Sequence, residues 1–256
     1  MAPWSDSTTE IALGTYEELA PEYYDTTRHP TCANFREATR IALRPLLKTA
    51  QLGSKSLCEV GAGKSILVEE LIYQGLPTEN VTLIDSSVSM LRHSMLFRGN
   101  QVHSSVGDAT QLDMKSNSVD FMVSCLGDPY NLPLFWEEVH RVLRPGGSIF
   151  YSTPSFEWAH AFRIKQNHAS CAAMFELRDG RQIFLPSFVY PVKEQIKLIE
   201  QNRLRVAHIQ GIPISELRNQ TLSPKLLLER GPDASIVTIY IATKTSDHDP
   251  NSKYGS

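Results

Sequence analysis

The chain has 256 residues, 41% of them hydrophobic, and a formal net charge of −3 with basic residues scattered along its length. That is enough apolar material for one large α/β domain, and it lacks the clustered positive charge that neutralises phosphates, so a nucleic-acid partner is not expected. No apolar stretch approaches the roughly 18 residues that span a bilayer, and the start, Met1-Ala2-Pro3-Trp4-Ser5-Asp6, has neither the basic region nor the apolar core of a secretory signal.

Two helices are expected first, around 11–24 and 32–47, the second on Phe35, Ile41, Ala42, Leu46 and Leu47 at near-helical spacing. Strand and helix then alternate over 56–152, which implies parallel strands joined by right-handed crossovers, with ligands at their carboxyl ends. The rhythm changes after 152. A helix over 156–166 leads to two extended runs around Asp179-Gly180, a strong hairpin signal. A helix over 191–202 and strands over 204–209 and 235–242 follow. The last dozen residues, 245–256, are polar, carry Pro250 and read as a disordered tail. Cys32, Cys58, Cys125 and Cys171 stand far apart without metal-ligand spacing, as expected for reduced, mostly buried thiols of a cytoplasmic protein.

The most informative segment is Leu57-Cys58-Glu59-Val60-Gly61-Ala62-Gly63, an apolar run carrying an acid that breaks into two glycines before Lys64-Ser65-Ile66-Leu67-Val68 continues as a helix. Glycine lets backbone approach a ligand without an intervening Cβ, so this strand-to-helix turn is a nucleotide-sized cradle. Gly63-Lys64-Ser65 resembles the end of a phosphate-binding P-loop, but Cys58 stands where that loop needs another glycine. A dinucleotide fingerprint needs a third small residue where Ile66 stands, and Glu59 would lie close to its pyrophosphate. The acid suits instead the cationic end of S-adenosylmethionine (SAM), which carries no phosphate.

Glu59-Val60-Gly61-Ala62-Gly63 resembles motif I of the class I SAM-dependent methyltransferases, and further likenesses follow in order. Val81-Thr82-Leu83-Ile84-Asp85 closes on the place of that family's ribose-gripping acid, with Ser86 and Met90 just beyond. Ser105-Val106-Gly107-Asp108-Ala109 is similar to the motif that meets the adenine. The run 118–125, ending in Cys125 and followed by Leu126, matches the fourth strand, and Leu143-Arg144-Pro145-Gly146-Gly147 the turn into the fifth. Tyr16 and Tyr24 match the opening from which a tyrosine closes over the cofactor. The likeness covers about residues 57–153, and its specificity lies in order and spacing. Singly, the glycines would suit an ordinary tight turn, Asp85 a helix cap and Asp108 a turn residue.

The resemblance implies a doubly wound, seven-stranded, mostly parallel sheet of Rossmann-like type with one antiparallel strand. It divides the chain into an N-terminal helical cap (1–50), a methyltransferase domain (51–244) with a lid at about 154–191 between the fifth and sixth strands, and the tail. SAM would be the cofactor, S-adenosylhomocysteine its product, and a small molecule the methyl acceptor. No spacing demands a metal.

Acceptor-facing candidates come from Gly127-Asp128-Pro129-Tyr130, which resembles, with one proline missing, the motif of amino-group methyltransferases; it is also an ordinary turn. Asp128 is the first candidate for chemistry, with Tyr130 and the loop residue His29 beside it. Glu157, Trp158, His160 and Arg163 of the lid helix lie at helical spacing. Two other readings stay open: a nucleic-acid or protein amino-group methyltransferase, and a SAM-binding scaffold without turnover.

Overall fold

The computed structural model describes residues 14–49, 52–217, 220–227 and 233–245. The polar tail beyond residue 245 and the first residues of the expected opening helix lie outside the described residues; 14–19 are helical and turns run on to 24.

Nine strands are present among the described residues: β1 (Leu57–Val60), β2 (Val81–Asp85), β3 (His103–Val106), β4 (Val119–Ser124), β5 (Leu143–Pro154), β6 (Ala172–Glu176), β7 (Gln182–Pro186), β8 (Leu204–Pro213) and β9 (Ser235–Lys244). Seven make one sheet in the order β3-β2-β1-β4-β5-β9-β8. β1 to β5 pair in parallel, and β9 runs antiparallel between β5 and β8. This is the Rossmann-like methyltransferase sheet that the motif order implies.

Around it lie α1 (Pro30–Thr49), α2 (Ile66–Tyr73), α3 (Val88–Arg92), α4 (Pro133–Val142), α5 (Phe156–Gln166) and α6 (Val192–Gln201). Because successive strand side chains point to opposite faces, the central strands feed two cores. Leu57, Phe121, Phe150 and Ile239 pack with Ala38, Leu43 and Leu47 of α1 and Ile66, Leu67 and Leu71 of α2. Cys58, Met122, Tyr151 and Tyr240 pack with Phe135, Trp136 and Val139 of α4 and Ile199 of α6. Burial on both faces explains why β1 has no polar-apolar alternation.

Two details differ from the sequence reading. β5 begins before Pro145-Gly146-Gly147, but its register on β4 jumps from Val119–Leu143 to Phe121–Ser148, so the intervening residues still loop out. Only Cys58 is buried, while Cys32, Cys125 and Cys171 are half-buried. The hairpin forms as expected: β6 pairs antiparallel with β7, and Gly180 turns between them at φ 86°. Leu177 and Leu185 of this hairpin pack on Leu19, and the backbone N–H of Arg178 donates to Glu22 at 2.9 Å. The inserted hairpin and the N-terminal segment thus form one cover over the carboxyl end of the sheet. No helix among the described residues is long and apolar enough to cross a membrane.

Candidate active site

The chain leaves β1 through Gly61 at φ 65° and Gly63 at φ 43°, in the left-handed region that glycine enters without strain. Both positions face a tyrosine. A Cβ on Gly61 would stand 2.2 Å from the Tyr130 hydroxyl, and one on Gly63 2.2 Å from that of Tyr24. Tyr130 donates to the Val60 carbonyl at 2.8 Å and lies 3.0 Å from Ser124 Oγ. Tyr24 accepts from the Lys64 N–H at 2.7 Å, and the Arg36 guanidinium lies 4.9 Å from its ring centroid.

Glu59 is buried beneath this turn. Its carboxylate accepts from the Ser65 hydroxyl and, at 3.3 Å each, from the N–H groups of Ile66 and Leu67 at the start of α2. Burial pushes it up to about 7 against these bonds. The acid expected at the cationic end of the ligand is therefore turned under the helix N-terminus, where unpaired N–H groups attract it. Asp108 is also turned aside: Oδ1 accepts from the Thr110 N–H at 2.7 Å and hydroxyl at 2.8 Å, closing its own turn.

The other cofactor candidates converge on one cavity of about 90 Å³. Gly61 and Ala62 line it from the glycine turn, and Asp85, Ser86 and Met90 from the end of β2 and α3. Gly107 and Ala109 follow β3, Cys125, Leu126 and Tyr130 follow β4, and Tyr16 and Tyr24 close it from above. Gly63 contributes its N–H, which Asp85 Oδ2 accepts at 2.8 Å, while Oδ1 accepts from Ser87 at 2.9 Å. These residues suit SAM: a fixed carboxylate for ribose hydroxyls, small residues where a flat base must lie, and a cradle that any Cβ would fill. The Tyr130 and Tyr24 hydroxyls occupy the space that a Cβ on Gly61 or Gly63 would fill, so these rings close the glycine cradle. Sequence reasoning missed Arg36, which sits in no motif, and passed over Tyr23 for its neighbour Tyr24 in the tyrosine-bearing opening.

Burial pushes Asp85 up to about 6, opposed by the N–H bonds from Ser87 and Gly63 and reinforced by Glu17. A carboxylate binds hydroxyl donors better ionised than protonated. SAM affinity is therefore expected to be flat above about pH 7 and to weaken by up to about tenfold per pH unit below about pH 6. Calorimetric titration between pH 5 and 8 measures this, and Asp85→Asn should remove the dependence; an unchanged slope in that variant would assign it to another group.

A second cavity, of about 380 Å³, adjoins the first and shares Tyr16, Tyr23, Leu126 and Pro129 with it. Asp128 and His29 face this larger space, as do Trp158 and Arg163 of α5, whereas Glu157 and His160 do not line it. Tyr130 sits instead at the smaller cavity, its hydroxyl spent on the Val60 carbonyl. Asp128 is 8% exposed and accepts from the Ser187 hydroxyl, which also takes a bond from Arg163 at 2.7 Å. Burial pushes Asp128 up to about 6, against the Ser187 bond and the Arg163 charge. His29 is 8% exposed, and its Nε2 has no hydrogen-bond partner among the described residues. Such a group costs about 1–3 kcal/mol unless something bonds to it. Burial holds His29 below its ordinary value, hence neutral near pH 7.

A fixed acid at the end of β2, facing a glycine turn after β1 in a sheet of this order, is the geometry of a ribose-binding site in a Rossmann-like fold. Residues 58–151, the span that carries both, match the family model described as a methyltransferase domain, so the chain carries a methyltransferase domain within a Rossmann-like methyltransferase fold. No curated protein matches it. Among solved structures it is similar to a Haloferax volcanii methyltransferase in complex with the Trm112 methyltransferase activator, with 15% identity over 93% of this chain and 99% of that one and a TM-score of 0.64. A Mesorhizobium loti SAM-dependent methyltransferase matches with 16% identity over 80% of this chain and 97% of that one, TM-score 0.58. The geranyl diphosphate C-methyltransferase of Streptomyces coelicolor, solved with S-adenosylhomocysteine, matches with 15% identity over 80% of each chain, TM-score 0.57. At these identities the likeness establishes the fold.

Proposed function

We propose that the chain methylates a small-molecule acceptor held in the larger cavity. The observation that carries this reading is the junction of the two cavities, where Tyr16, Tyr23, Leu126 and Pro129 line both. SAM supplies an electrophilic methyl on a sulfonium. The protein's main contribution is to hold the acceptor atom in line with it and to exclude water. Asp85 holds the ribose, Gly107 and Ala109 make room for the adenine, and Tyr16 and Tyr24 cover the cofactor.

On the acceptor side, Asp128 orients the nucleophile's O–H or N–H and takes its proton as the new bond to carbon forms. Neutral His29 provides a second hydrogen bond through Nε2. Residues 154–191 serve with the N-terminal cap as the lid that opens for exchange. The size of the larger cavity falls within the usual range for small-molecule sites. Burial of Asp128 beneath Ser187 of the insertion keeps it from a macromolecular amino group, which favours this reading over nucleic-acid or protein methylation.

The test is incubation of a metabolite extract with the protein and SAM carrying a labelled methyl group. Mass spectrometry should find the label in a low-molecular-weight product. Label recovered only in protein or nucleic acid would overturn the reading, and SAM binding without any transfer would favour the scaffold.

A further inference from the structure

We infer that the acceptor is a flat aromatic molecule carrying an acid group at the end remote from the methylated atom. This rests on the reading that the larger cavity takes the acceptor. The cavity's inner end is where Tyr16 and Leu126 meet the cofactor space, so the nucleophilic atom belongs there. Its other end is aromatic. Trp158 and Phe162 of α5 stack at 5.2 Å with 10° between their planes, and Phe35 meets Trp158 edge-on at 4.8 Å. Neither Trp158 nor Phe162 reaches the smaller cavity.

Lys225 sits at this aromatic end. Trp158 Nε1 donates to its carbonyl at 3.1 Å, and its Nζ lies 5.7 Å from the Phe162 ring centroid. The segment is docked on the start of α1 through Ser223 Oγ, 2.7 Å from Thr31 Oγ1, and through Ser223 N–H, which donates to Asn34 at 2.8 Å.

Three cationic side chains border the cavity, and two have their partners. Arg28 pairs with Glu22 at 2.8 Å, and Arg163 donates to Ser187 beside Asp128. Lys225 has no carboxylate within ion-pair distance among the described residues, and its only side-chain neighbour of note is the face of Phe162. Glu176, the other acid at the cavity besides Asp128, is exposed at its rim, as is Lys225, and no ion pair joins the two. An unpaired ammonium over stacked rings is complementary to an aromatic ring bearing a carboxylate or phosphate. The unpartnered and buried Nε2 of His29, which also lines the cavity, calls for one polar group on the acceptor.

The probes are a hydroxynaphthoate, its neutral amide and the corresponding naphthyl phosphate, titrated calorimetrically into the full chain and followed by Trp158 fluorescence. The acid and phosphate should quench Trp158 and bind about fivefold or more tightly than the amide at low salt, a preference that shrinks as salt rises. Whichever anion binds more tightly identifies the group on the natural acceptor. Lys225→Met, which keeps the stem on Phe162, should abolish the preference, while Lys225→Arg should retain it; melting curves verify that both variants fold. Equal binding of acid and amide by the parent, or an unchanged preference in Lys225→Met, would overturn the inference while leaving the small-molecule reading standing. Failure of all three probes to bind would also overturn the inference, and the small-molecule reading would then rest on the labelled-methyl experiment alone.

Discussion

Gly61→Val is expected to abolish SAM binding, weakening it by at least about 100-fold. The backbone at this position has φ 65°, which costs a β-branched residue about 1–3 kcal/mol. The new side chain would also enter the space of the Tyr130 hydroxyl, 2.2 Å from where its Cβ must lie. Driving Tyr130 away removes its bonds to the Val60 carbonyl and to Ser124, worth about 1 kcal/mol each. The displaced ring and the added methyl groups would both crowd the smaller cavity. Summed, the loss of about 3–5 kcal/mol should lower the melting temperature by roughly 5–15 °C. Calorimetry and a melting curve on the same sample check both parts. SAM binding within tenfold of the parent would show that the cofactor does not use this cradle.

Asp128→Asn should lower the single-turnover methylation rate by about 10² or more, the usual scale for a positioned acid-base group, while leaving SAM affinity within about threefold. Asn can still accept from Ser187, so the local structure keeps its hydrogen bond and the melting temperature should move by only a few degrees. The pH profile supplies the sharper distinction. Burial raises Asp128 to about 6, so the carboxylate that accepts a proton is depleted below that pH. The parent's rate should therefore climb as pH rises through about 6 and level off above 7, and Asp128→Asn should lose that limb. A carboxylate serving only to tie the β4 loop to Ser187 predicts instead an unaltered rate and pH profile, since Asn keeps that bond. A rate within a few-fold of the parent would shift the acceptor contact to His29.

The elements themselves were legible because their signals are local. Apolar runs of strand length in 57–60 and 119–124, the Asp179-Gly180 turn and the glycine break after β1 each act within a few residues of chain, and together they fix the sheet and the place of the cofactor at its carboxyl end. Side-chain directions were not legible in this way. Glu59 turns under α2 because Ser65 and two orphan N–H groups satisfy it there, and Tyr130 turns to the glycine cradle because Val60 and Ser124 meet its hydroxyl. The acceptor side depends on still longer reach: Asp128 meets Ser187 across 59 residues, and Thr31 meets Ser223, which seats Lys225, across 192. Such pairs form only after the hairpin and the N-terminal segment have packed over the sheet, since nothing in a local run of residues records which distant side chain will satisfy a buried polar group. The amino-acid sequence alone therefore determined the fold and the class of cofactor, and tertiary packing decided which acids face the two cavities and how the larger one is shaped.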